Sequence, residues 1–192
     1  ALNDDLPFDA FVRMHFAPDE KRKELGQFIQ LGPRMQDNSN PNDKQFHRLD
    51  DMVATTGTAF LGISFGCARC HDHPVDPMST EEYYQLTATF WDQVKEAPRA
   101  SAKTIPLEIK EPRVLRRGSW SSPGEKVQPG FIKILKRKED THWRDGKTEL
   151  AALGAWLTDT ENGAGELLAR VIVNRLWHHH FGQGLVRTPN DF

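Results

Sequence analysis

Cysteine is nearly absent from this chain: there are 2 in 192 residues, and both fall in the run Cys67-Ala68-Arg69-Cys70-His71. Every cysteine of the chain thus lies inside one motif, and if its thiols are consumed as thioethers the count says nothing about disulfides. No apolar run reaches the length of a membrane span, which argues against a bilayer-crossing chain. Charge of either sign is also lacking in excess, since 25 Lys and Arg against 27 Asp and Glu leave a formal −2, and nucleic acid is not recommended as a partner. The opening Ala1-Leu2-Asn3-Asp4-Asp5 lacks the apolar stretch of a signal peptide, so the compartment has to be argued from chemistry further along. What remains is 38% hydrophobic residues with 11 Phe and 5 Trp, enough for a core.

The two cysteines are spaced by two residues and followed at once by histidine, the attachment signature of a c-type haem. Each thiol adds across one vinyl group of the porphyrin, and the next side chain, His71, is delivered to the iron as proximal ligand. A zinc site drawn from Cys67, Cys70, His71 and His73 is a poorer reading, because ligands packed so closely in sequence can hardly close a tetrahedron. A thioredoxin-like pair should open a helix after a strand, whereas the segment before Cys67 has a helical period. One covalent haem c is therefore the expected cofactor, with Cys67, Cys70 and His71 as its binding residues.

The fold class read from the pattern is mainly α with long irregular loops, a compact helical haem-binding body and a short β element near 104–110. Phe8, Phe11, Val12 and Phe16 after Pro7 predict a first helix. Met35 to Lys44 reads as a loop, and Leu49, Met52, Val53, Thr56, Ala59, Phe60 and Ile63 predict a second helix that Gly62 and Gly66 loosen at its end. Ser79-Thr80-Glu81-Glu82 has the form of a capping box and predicts a helix carrying Tyr83, Leu86, Phe90 and Val94 on one face. From Glu96 to Gly130 the composition turns to Pro, Gly, Ser and basic residues, with Lys110, Arg113, Arg116 and Arg117 in its densest positive stretch. These shifts suggest a haem-binding domain over 1–98, a linker over 99–130 and a C-terminal helical domain over 131–192 packed on the first.

The last third predicts helices from about Thr148 to Leu157 and from Gly165 to Phe181, the latter stopped by Gly182. With Ile172 as centre line, a turn of about 100° per residue puts Leu168, Leu176, His179 and His180 on the apolar side and His178 away with Asn174 and Arg175. His180, then His179, are accordingly the expected second iron ligands, with His47 next.

Two stretches resemble a known family. Asp50 through Gly57, Phe60-Leu61-Gly62 and Gly66-Cys67-Ala68-Arg69-Cys70-His71-Asp72-His73 through Asp76-Pro77 resemble the first of two paired domains in planctomycete-type cytochrome c-like proteins. Arg117-Gly118, Val127-Gln128-Pro129-Gly130, Ala155-Trp156-Leu157, Ala169 through Trp177 and Phe181 through Phe192 resemble the second. The resemblance implies a secreted or periplasmic haem protein, with Cys67 and Cys70 as thioether sites, His71 as proximal ligand, and His73 as a further cofactor-site residue that hydrogen-bonds a propionate or a backbone group. Met78 stands where the family more often has an aliphatic residue.

The expected function is a monohaem c-type cytochrome carrying electrons to or from a redox partner protein of acidic character, in the periplasm or outside the cell. A catalyst is the weaker expectation: an open-site haem enzyme, peroxidase-like or oxidase-like, would use Arg69 or His180 beside the iron. A haem-stapled structural protein that forms a homo-oligomer is the third reading.

Overall fold

The computed structural model describes residues 2–30, 40–94, 109–190 and 192. Its helices are α1 (Phe8–Phe16), α2 (Pro41–Thr56), α3 (Thr80–Thr89), α4 (Thr141–Arg144), α5 (Glu149–Thr158) and α6 (Gly165–Phe181), and its strands are β1 (Arg113–Leu115) and β2 (Pro123–Lys126). The protein is mainly α with a small β element, as the pattern predicts. Among the described residues, no helix is long and apolar enough to cross a membrane. The chain forms two compact units, one of Ala1–Gln30, Thr55–Ser64 and Lys133–Phe192, the other of Leu31–Ala54 and Phe65–Ile132. They interleave along the chain, unlike the serial division into 1–98, 99–130 and 131–192.

In the first unit α1 packs against α5. Val12 and Phe16 are the buried positions of α1, and Gly154 of α5 lets the backbones approach, since a Cβ there would stand 3.3 Å from the Arg13 Cα. Thr148 caps α5 by accepting from the Ala151 N–H at 3.2 Å, and the apolar helix it starts buries Leu153, Trp156 and Leu157 completely. The Asp159 side chain then turns the chain by accepting from the Glu161 and Asn162 N–H groups, both at 2.9 Å.

The α6 bounds agree with the sequence reading, and Gly182 ends the helix at φ 82°. Its facing does not. Leu168, Val171 and Asn174 are the buried line, while Leu176, His179 and His180 are exposed. Polar residues turn inward because they have bonds to make there. The Asn174 amide donates to the Val186 carbonyl at 3.0 Å and accepts from the Val186 N–H at 2.8 Å. Arg175 donates to the carbonyls of Thr58, Ala59 and Pro189 and to Asn190. Arg175 thereby ties α6 to the π-helical turn Gly57–Leu61, and the Phe192 N–H donates to the Gly62 carbonyl at 2.6 Å.

In the second unit, α2 begins at Pro41, inside the stretch expected to be loop as far as Lys44. The Asn40 carboxamide oxygen accepts from the Asn42 N–H at 2.9 Å, and proline at the first helical position completes a start signal overlooked among the neighbouring polar residues. Asn42, Gln45, Phe46, Leu49, Met52 and Val53 face the core. The capping box of α3 is present in full: Ser79 Oγ accepts from the Glu82 N–H at 3.2 Å, and Glu82 Oε2 accepts from the Ser79 N–H at 2.9 Å.

α3 packs against β1 and against the 3₁₀ turn Phe65–Arg69 that carries the motif. The β element lies at 113–115 and 123–126, where antiparallel pairing aligns Arg113 with Lys126 and Leu115 with Pro123. Residues 104–108 of the expected strand lie outside the described residues.

Candidate cofactor site

Phe65 and Ala68, both buried, root the motif turn in the core of the second unit, and Cys67, Cys70 and His71 stand exposed. The turn closes with the Cys70 N–H donating to the Cys67 carbonyl at 3.2 Å. Arg69, between the cysteines, points inward. Its guanidinium donates to Asp50 of α2 at 3.1 Å and to the Gly118 carbonyl at 3.2 Å. Tyr83 OH donates to the other Asp50 oxygen at 2.5 Å, and Tyr84 OH donates to the Arg69 carbonyl at 3.0 Å. Burial first, and the Asp50 carboxylate beside it second, hold the Tyr83 hydroxyl well above the usual phenol range. Tyr84 is raised too, mainly by burial.

The hairpin between β1 and β2 closes on the same turn. Cys70 Sγ donates to the Arg117 carbonyl at 3.5 Å, and a Cβ on Gly118 would fall 2.9 Å from that sulfur. Gly118, at φ 70°, is therefore required both for its backbone conformation and for the space Cys70 occupies.

His71 Nδ1 lies 2.7 Å from the Asp72 carbonyl oxygen, an atom that can only accept, so Nδ1 carries a proton and, in the neutral ring, Nε2 holds the lone pair. His73 has the opposite arrangement. Its Nδ1 accepts from the Asp76 N–H at 2.8 Å and its N–H donates to the Met78 carbonyl at 2.9 Å, so its Nδ1 is committed to shaping its own loop. That is the backbone role for His73 among the two the sequence suggests. Met78 is buried at 4% exposure. Asp72 Oδ1 accepts from the Thr80 N–H at 2.8 Å and joins this loop to the start of α3.

Of the expected iron ligands outside the motif, His47 is exposed on α2 of this same unit. His179 and His180 are exposed on α6 of the other; His180 Nδ1 donates to the Leu176 carbonyl at 2.8 Å, which leaves its Nε2 free. Arg69, the arginine of the open-site reading, is committed to Asp50 and Gly118. Among the described residues, no three His, Cys, Asp or Glu side chains gather as a metal-binding group. Asp50, Tyr83, Tyr84 and Gly118 were not foreseen as site residues. An arginine between the cysteines was the available signal that an acid would be needed beside it.

The donor set fits a covalently attached haem. Cys67 and Cys70 are exposed residues that would form the thioethers, and the neutral His71 with its proton on Nδ1 would offer Nε2 as the axial nitrogen.

The geometry thus defines a mainly helical protein with an outward-facing Cys-x-x-Cys-His turn. Residues 1–95 match the family model described as PSCyt2, protein of unknown function (DUF1549). Residues 149–192 match that described as PSD1, protein of unknown function (DUF1553). The two are paired domains typical of planctomycete-type proteins. No curated protein and no solved structure matches the chain.

Proposed function

We propose that this protein is a c-type cytochrome that carries single electrons, with one haem bound through Cys67 and Cys70 and ligated by His71. The observation that carries the reading is His71 beside two exposed cysteines, with Nδ1 donating to the Asp72 carbonyl so that Nε2 of the neutral ring is the nitrogen left to bind iron. When bound, the haem supplies a one-electron iron couple. The chain's own contribution is positional: Arg69, drawn inward by Asp50 and Gly118, turns the flanking cysteines outward, and His73 fixes the loop that follows. Thioether attachment takes place outside the cytoplasm in bacteria of the kind the resemblance implies, which puts the protein in the periplasm or beyond.

Expression with a haem-attachment system, followed by acid-acetone extraction and intact mass, tests the reading. Haem retained on the polypeptide supports it; haem extracted, or a bare polypeptide mass, overturns it. The spectrum of the loaded protein then separates carrier from catalyst. A low-spin form that becomes high-spin in one of His180→Ala, His179→Ala or His47→Ala identifies the second ligand, whereas a high-spin unmodified protein favours the open-site enzyme.

A further inference from the structure

The turn Arg116–Gly118 pairs an unusual backbone with an unusual side chain. Arg117 sits at φ 52°, ψ 32° and Gly118 follows at φ 70°, with the Ser119 N–H donating to the Arg116 carbonyl at 3.2 Å. Two successive left-handed residues make a type I′ turn, whose first central position is ordinarily Asn, Asp or Gly. An arginine there is strained for want of any local hydrogen bond from its side chain, and such strain concentrates at functional positions.

Both Arg116 and Arg117 are exposed, and among the described residues neither has an acidic partner. Their neighbours are accounted for: Arg113 and Lys126 pair with Glu111, and Arg69 with Asp50. Asp72, the exposed acid of the motif, holds the Thr80 N–H. The two guanidiniums are therefore an uncompensated positive pair, carried on a turn whose Gly118 packs against Cys70 and accepts from Arg69.

We infer that the Arg116–Gly118 turn is the docking contact for an acidic redox partner protein, an inference that rests on haem attachment at Cys67 and Cys70. Porphyrin connectivity favours a protein over the haem's own carboxylates. Thioether bonds would be made by the vinyl edge, with the propionates on the opposite side of the ring, so a basic pair on the turn beside Cys70 would border the vinyl edge and not the carboxylates. Free positive charge there steers an acidic surface toward that edge.

The test uses the haem-loaded protein and an acidic flavodoxin as probe, its flavin hydroquinone passing one electron to ferric haem and becoming the semiquinone. A neutral small reductant gives the reference rate. For the unmodified protein, the flavodoxin rate falls as salt is raised toward about 0.5 M. In Arg116→Gln/Arg117→Asn the ratio of flavodoxin rate to reference rate falls about three- to tenfold and loses its salt dependence. Arg117→Lys keeps most of the ratio. Arg117→Asn also raises Tm by about 2–4 °C, because the new residue suits the left-handed turn, so slower docking cannot be ascribed to misfolding. An unchanged ratio in a haem-loaded double variant overturns the docking role alone. Haem loading that falls in the variants overturns it in favour of propionate binding. An unmodified protein without covalent haem overturns it together with the cytochrome reading, and intact mass tells these cases apart.

Discussion

Asp50 is the residue on which the motif turn depends, and it lies nineteen positions before Arg69 with no periodicity linking the two. The cysteines and His71 were legible because their chemistry demands adjacency; Asp50 was not, because an ion pair between helix and turn leaves no spacing to read. Its carboxylate holds Arg69 at 3.1 Å and Tyr83 at 2.5 Å, with both charged side chains about three-tenths exposed. Asp50→Ala removes the acceptor for both and should cost about 2 kcal/mol after allowance for solvent screening, measured by urea unfolding. Loss of Arg69 anchorage should also lower the fraction of chains loaded with haem, which Asp50→Asn, still able to accept, restores in part. Tyr83 adds a pH dependence. Its folded pKa is raised, so its stabilisation is complete below the unfolded phenol value of about 10 and declines as pH rises above it. Tyr84 is raised in the same sense, so Tyr83→Phe should reduce the loss of Tm above about pH 10 without abolishing it.

Helix ends were legible and helix faces were not always so. The Ser79 capping box and the Gly182 stop are local chemistry, whereas the facing of α6 is decided by what its side chains find. Leu176, Trp177 and Phe181 are exposed at 53%, 42% and 67%, while Asn174 is buried at 2%, an inversion of the binary pattern. Asn174→Ala should cost about 1–3 kcal/mol, since the Val186 N–H and carbonyl both lose their partner, and amide exchange at Val186 should accelerate. Two glycines separate conformational cost from packing cost. Gly182→Ala meets nothing within 4 Å and should lose only the left-handed penalty of about 1 kcal/mol. Gly62→Ala, at φ 61°, also brings a Cβ to 3.1 Å from Val171 and 3.2 Å from Phe192, and should unfold at clearly lower urea.

At the scale of the whole molecule, the composition shift after Glu96 suggested a serial domain plan, but contacts rather than composition decide which segments share a core. Residues 55–64 belong with 133–192 because Arg175 and Phe192 bond to Thr58, Ala59 and Gly62. Pairings of this range leave no trace in a local window. They do set which unit each segment must find. The unit carrying Cys67, Cys70 and His71 draws on two segments, 31–54 and 65–132, whereas the other joins 133–192 to segments far upstream. The thiol-bearing turn is thus buttressed by Asp50, Tyr83 and Gly118 from within its own unit, so chemistry at that turn need not wait for the long-range closure of the other.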